Sequence, residues 1–125
     1  MPLVAEWLPE DDFHGRLRVQ MSTSGFAGVG EAWFNPDEID LFVERLLAYP
    51  LDDSNLPVLR GVTDDRFSLR VSRQNTRGDL RVWARLTDDA LVFEGGISTN
   101  YNDLERFANA LRAQLRGGAE EAALP

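Results

Sequence analysis

The side chains able to do chemistry in this chain are few and scattered. His14 is the single histidine, and it follows Asp11 and Asp12. A His–Asp pair can act as a general base. It needs a nucleophile, and no serine sits in a Gly-x-Ser-x-Gly elbow. Four adjacent aspartate pairs occur: Asp11-Asp12, Asp52-Asp53, Asp64-Asp65 and Asp88-Asp89. Paired carboxylates suit Ca²⁺ or Mg²⁺, but none here belongs to a loop with Gly at its sixth position and Glu at its twelfth. All four lie in turn-forming sequence, where Asp is at home, so solvated turns are the expected role. Gly28-Val29-Gly30 and Gly95-Gly96 do not extend into a Gly-x-Gly-x-x-Gly phosphate loop. Without lysine there is no Gly-Lys-Ser/Thr either. The absence of cysteine excludes disulfides, thiolate catalysis and cysteine-based zinc sites. The reading is of a protein with no catalytic residue, no metal site and no cofactor.

Arginine and tryptophan remain. All 13 basic residues are Arg, which offers planar bidentate recognition and stacks on aromatic rings. A GC-rich coding sequence would explain the same bias more simply. The net charge of −8 argues against non-specific nucleic-acid binding, which needs a basic footprint. It suits a soluble protein, or one whose partner is basic. The N-terminus has no basic region followed by an apolar core of signal-peptide length, and no apolar run is long enough to span a bilayer. A cytoplasmic protein is expected.

The elements that must position these residues follow from periodicity. Arg16–Ser22 alternates, with Leu17, Val19 and Met21 facing one way. Ser22–Gly25 is turn chemistry, and Phe26–Phe34 returns. Asn35-Pro36-Asp37-Glu38 reads as a helix start with a capping box. Ile39, Phe42, Val43, Leu46 and Leu47 form its apolar stripe, and Pro50 ends it. Pro57–Val62 reads as a short edge strand, and Thr63–Arg66 as a turn. Phe67, Leu69 and Val71 alternate in the next strand. Leu80–Leu86 and Leu91–Thr99 form a second hairpin around the turn Thr87–Ala90. A second helix follows, capped by Asn100 or Asn102 and closed by Gly117-Gly118. Its stripe is Leu104, Phe107, Ala108, Leu111 and Leu115.

A constant offset of 65 residues relates Arg16–Leu47 to Arg81–Arg112. Arg16 falls on Arg81, Gly30 on Gly95, Asn35 on Asn100, Phe42 on Phe107 and Leu46 on Leu111. This suggests an internal ββα duplication within the order ββα-ββ-ββα. The expected fold is one α+β domain over residues 1–125. It is a two-layer sandwich with an antiparallel sheet of about six strands and two helices on one face. Residues 1–15 are expected to form an N-terminal arm and 119–125 a frayed tail. Gly30 and Gly95 would let a helix pack closely on the sheet.

The uncovered face of such a sheet would carry Arg16, Arg18, Gln20, Val29, Trp33, Arg70, Arg81, Trp83 and Arg85. Trp and Arg are enriched at binding hot spots. Trp33, Trp83, Arg18, Arg70, Arg81 and Arg85 are therefore the candidate protein-binding residues, suited to an acidic or mixed surface. Arginines lying over the tryptophans, or an N-terminal segment bringing Trp7 and Leu8 across them, would instead shield this face.

Phe26-Ala27-Gly28 with Glu31-Ala32-Trp33-Phe34, then Leu41-Phe42, Leu46-Leu47 and Tyr49-Pro50-Leu51, resemble small bacterial proteins related to the WapI-type immunity proteins. The second helix, with Leu104, Phe107 and Leu111, fits as well. The resemblance implies a non-catalytic antitoxin that binds and occludes a toxin domain. Carboxylates at Asp52, Asp53, Asp64 and Asp65 would then be alternative contacts for a basic cleft. The competing expectation is a homo-oligomeric structural module pairing through the open face or an edge strand.

Overall fold

The structure is a computed structural model, and it describes residues 2–61, 66–89 and 91–125. Asp64-Asp65 with the turn expected around them, Val62 and Ala90 lie outside the described residues. The elements run in the order β1 (Leu3–Pro9), β2 (Gly15–Thr23), β3 (Phe26–Phe34), α1 (Pro36–Leu46), β4 (Val58–Arg60), β5 (Phe67–Arg73), β6 (Asp79–Asp88), β7 (Leu91–Asn100), α2 (Tyr101–Leu115) and β8 (Ala122–Leu124). The α+β class is as expected. The layering is different.

Instead of one sheet of about six strands, two four-stranded antiparallel sheets form among the described residues. Their orders are β3-β2-β1-β8 and β4-β5-β6-β7. The second hairpin therefore does not continue the sheet of the first. The strands β3 and β7 are both sheet edges, and β3 packs with its glycine-bearing side on β6 and β7. A Cβ added at Gly28 would lie inside the side chain of Phe93, and one at Gly30 would come within 3.0 Å of the Leu86 Cβ. Both glycines serve sheet-on-sheet approach, whereas at Gly30 the expected neighbour is a helix. At Gly95 the space is filled by the ring of Phe93.

Both chain ends are built into the first sheet. The expected N-terminal arm contains β1, which pairs with β2 from Leu3↔Met21 to Pro9↔Gly15. The expected frayed tail contains β8, which pairs with β1 through Leu3↔Leu124 and Ala5↔Ala122. Leu3, Ala5, Trp7, Ala122 and Leu124 are buried, and this apolar alternation is what holds both ends. Trp7 points into the core and does not cross the outer face of β2. Beyond the short β1–β8 pairing, Gln114 of α2 substitutes for a strand. Its Oε1 accepts from the Trp7 N–H at 2.7 Å, and its Nε2 donates to the carbonyls of Glu120 at 2.7 Å and Ala5 at 3.3 Å.

The helices begin where capping chemistry says they should. Asn35 accepts from the Glu38 N–H at 3.0 Å, and Glu38 accepts from the Asn35 N–H at 3.2 Å, a complete capping box. Asn100, not Asn102, caps α2, accepting from the Asp103 N–H at 2.9 Å. Ile39, Phe42, Val43 and Leu46 of α1 and Leu104, Phe107, Ala108 and Leu111 of α2 are buried. They join the inward residues of both sheets in one apolar core. The helices pack on each other; α1 also meets β4, and α2 meets β1, β7 and β8. Among the described residues, no helix is long and apolar enough to cross a membrane.

Candidate functional site

Two surfaces stand out. The first lies where the tips of the β2–β3 and β6–β7 hairpins meet. The chain turns tightly at Ser24 and Gly25 and again at Asp89, all with positive φ. Each returning strand starts with a large apolar residue: Phe26 in β3, Leu91 and Val92 in β7. They lie past the point where the sheets cover one another, so they stay in water. Phe26 is 72% exposed, Leu91 77% and Val92 55%. Between them runs a groove of about 510 Å³ lined by Met21, Gly28 and Phe93 among others, with Asp88 the one ionisable side chain among its described lining residues. An apolar patch of this kind commonly marks an interaction site. Sequence reasoning missed it. Strand alternation puts Phe26 in phase with buried Phe34 and Leu91 in phase with buried Ile97, and alternation does not register that a strand outruns its cover. The available signal was an apolar residue directly after each turn.

The second surface is the outward face of the sheets, and the structure divides it in two. Arg18 and Trp33 lie on the first sheet. There Arg18 stands in register with Glu31 on one side and Glu6 on the other. Arg16 lies over the Trp33 ring at 5.7 Å and reaches Glu31 at 3.4 Å. This face is balanced in charge, and Trp33 stays half exposed. Arg70, Arg81, Trp83 and Arg85 lie together on the second sheet, where Arg70↔Trp83, Ser72↔Arg81 and Ser68↔Arg85 are cross-strand partners. The guanidinium of Arg70 sits 5.8 Å and that of Arg81 5.0 Å from the centre of the Trp83 ring. Trp83 keeps 39% of its surface open, so the arginines frame the ring without sealing it. Arg81 also reaches the Ser98 hydroxyl at 3.3 Å, and Arg85 pairs with Glu94 at 3.2 Å. A groove of about 470 Å³ runs over this face, lined by Arg60, Ser68, Arg70, Trp83, Arg85 and Glu94 among others.

Asp11 and Asp52 serve their turns. Asp11 accepts the backbone N–H groups of Phe13 and His14, both at 2.8 Å. The Phe13 bond leads in holding the Asp11 carboxyl below its usual value. Asp52 is likewise held low, first by the Ser54 hydroxyl at 2.7 Å and then by the Ser54 N–H at 3.0 Å. Asp53 is paired with Arg73. His14 meets Asp11 at 3.3 Å on an exposed loop. Among the described residues, no three His, Asp or Glu side chains gather where a metal ion could sit. The first surface is apolar, and the second sets arginines around an aromatic ring.

The sequence matches no protein-family model and no curated protein.

Proposed function

We propose that this chain is a non-catalytic protein-binding domain of the immunity kind, which binds a toxin domain made in the same bacterial cytoplasm and occludes it. The observation that carries the reading is the apolar groove at the hairpin tips. Phe26, Leu91 and Val92 offer large side chains to a partner at almost no conformational cost, because two paired strands fix their backbones. Interface cores are built from such residues. The Arg/Trp face of the second sheet provides a polar contact of the type found around them. The ββα duplication belongs to the same proposal. Asn35 and Asn100, equivalent across the 65-residue offset, cap the two helices, which supports descent of both halves from one unit.

A homo-oligomeric module is the second reading, favoured by β3 and β7 being long edge strands that both start in the exposed apolar tips. One experiment separates the two. The tagged protein and a Leu91→Ser, Val92→Ser variant are used to capture partners from the native lysate, and their masses in solution are measured by light scattering. The immunity reading expects one stoichiometric toxin-like partner, lost in the variant, and an unchanged monomer mass. A dimer of the unmodified chain that the variant dissolves, with no partner retained, would establish self-association instead.

A further inference from the structure

The two outward sheet faces differ in charge, and the difference selects a ligand. On the first sheet Arg16 and Arg18 are matched by Glu6 and Glu31. On the second sheet Arg60, Arg70 and Arg85 line the groove and Arg81 lies beside it over the Trp83 ring; among the described residues Glu94 is the acidic side chain lining it. A chain with a net charge of −8 thus gathers four of its arginines on one small patch. Like charges on neighbouring strands repel, so this clustering lowers stability unless something compensates it. Trp83 does so in part, holding Arg70 and Arg81 against its ring. A guanidinium held beside a ring can still meet a carboxylate in bidentate fashion through its N–H edge. Arg70 makes no ion pair among the described residues. Arg85 pairs with Glu94 through Nη1 at 3.2 Å, and 41% of its side-chain surface stays open.

We propose that the groove over Arg70, Trp83 and Arg85 binds a short acidic segment of a partner protein, with its carboxylates on the arginines and an apolar or aromatic side chain on Trp83. The proposal rests on the reading of the chain as a protein-binding domain and adds the chemistry of what it recognises. Charge complementarity is its basis, and reach decides between polyanions. A single-stranded nucleic acid also pairs phosphates with arginine and stacks bases on tryptophan. Its charge, however, extends past the patch onto a surface with 21 acidic residues against 13 basic ones. A few carboxylates stay within about 8–10 Å of the arginines, inside which attraction is not screened away by physiological salt.

The test uses a fluorescein-labelled peptide alternating Glu and Thr around one central Tyr, with fluorescence anisotropy as the readout. The same peptide with Lys for Glu, and a labelled oligothymidylate, are run in parallel. Saturable binding of the acidic peptide is expected, weakening roughly tenfold for Arg70→Gln and for Arg85→Gln as a charge-assisted contact is lost. Arg106→Gln, exposed on α2 away from the groove, should change affinity less than about twofold. Circular dichroism of each variant confirms the fold. Equal binding of the Lys peptide, no saturable binding, or affinity unchanged in both groove variants would overturn the proposal. Tighter binding of oligothymidylate would replace it with a nucleic-acid surface. If the acidic peptide fails while the tip-dependent partner is still captured, this inference falls and the protein-binding reading stands.

Discussion

Gly28 and Gln114 do more for this fold than their side chains suggest. At Gly28 the absence of a Cβ lets β3 rest on Phe93. Gly28→Val should destabilise the protein by about 1–3 kcal/mol or more through overpacking. Phe93→Ala in the same chain should recover part of the loss by vacating the space. Urea unfolding of both variants checks this, and a Gly28→Val protein as stable as the parent would show that the sheets do not approach there. Gln114 answers backbone groups of β1 and of the segment leading into β8. Gln114→Leu keeps much of the volume but leaves the Trp7 N–H without its partner, at a cost of about 1–3 kcal/mol. A smaller shift would mean that water replaces the amide. Gly28 stood in a visible Gly-x-Gly pattern whose packing partner could not be read. Gln114 gave no sequence signal at all, because two of its three partners, Ala5 and Trp7, are more than one hundred residues away in the chain.

The helices and hairpins are local objects, and locality made them legible. Asn35 with Glu38 stops β3 and starts α1 within four residues, and the apolar stripes of both helices follow from helical periodicity. The choice between Asn100 and Asn102 was open because both are competent caps. The length of β7, which runs to Asn100, settles it. The strands β1 and β8 were not recognised as strands. β8 has three residues, too few for alternation to register, and β1 acquires its meaning from the pairing with β2 along its whole length. Deleting residues 119–125 should therefore be costly for a tail. It removes the buried Leu124 and Ala122, and burying a leucine contributes about 1.5–3 kcal/mol. It also bares the β1 edge, which invites association. A lowered thermal midpoint with concentration-dependent scattering is the expected result, and an unchanged midpoint would show that β8 adds nothing.

Across the whole molecule, one apolar core serves both sheets and both helices, and the candidate surfaces are what that core leaves outside. The tip groove exists because the two hairpins overlap incompletely. An apolar dye such as anilinonaphthalene sulfonate should bind the native protein there, and Phe26→Ser with Leu91→Ser should reduce its fluorescence severalfold without lowering stability. These side chains are already in water, and surface changes usually stay within about 0.5 kcal/mol. Equal dye binding by the variant would place the apolar site elsewhere.

Taken alone, the sequence determined the α+β class, both helices, both hairpins and the outward position of Trp33, Trp83 and their arginines. Each of these depends on periodicity or capping within a dozen residues. Only the tertiary structure decided that the hairpins join separate sheets, that the chain ends complete the first of them, and that the arginines divide into a balanced face and a cationic one. Strand alternation says which way a side chain points but not which strand will lie beside it. Pairing is settled by what the whole chain can bury together.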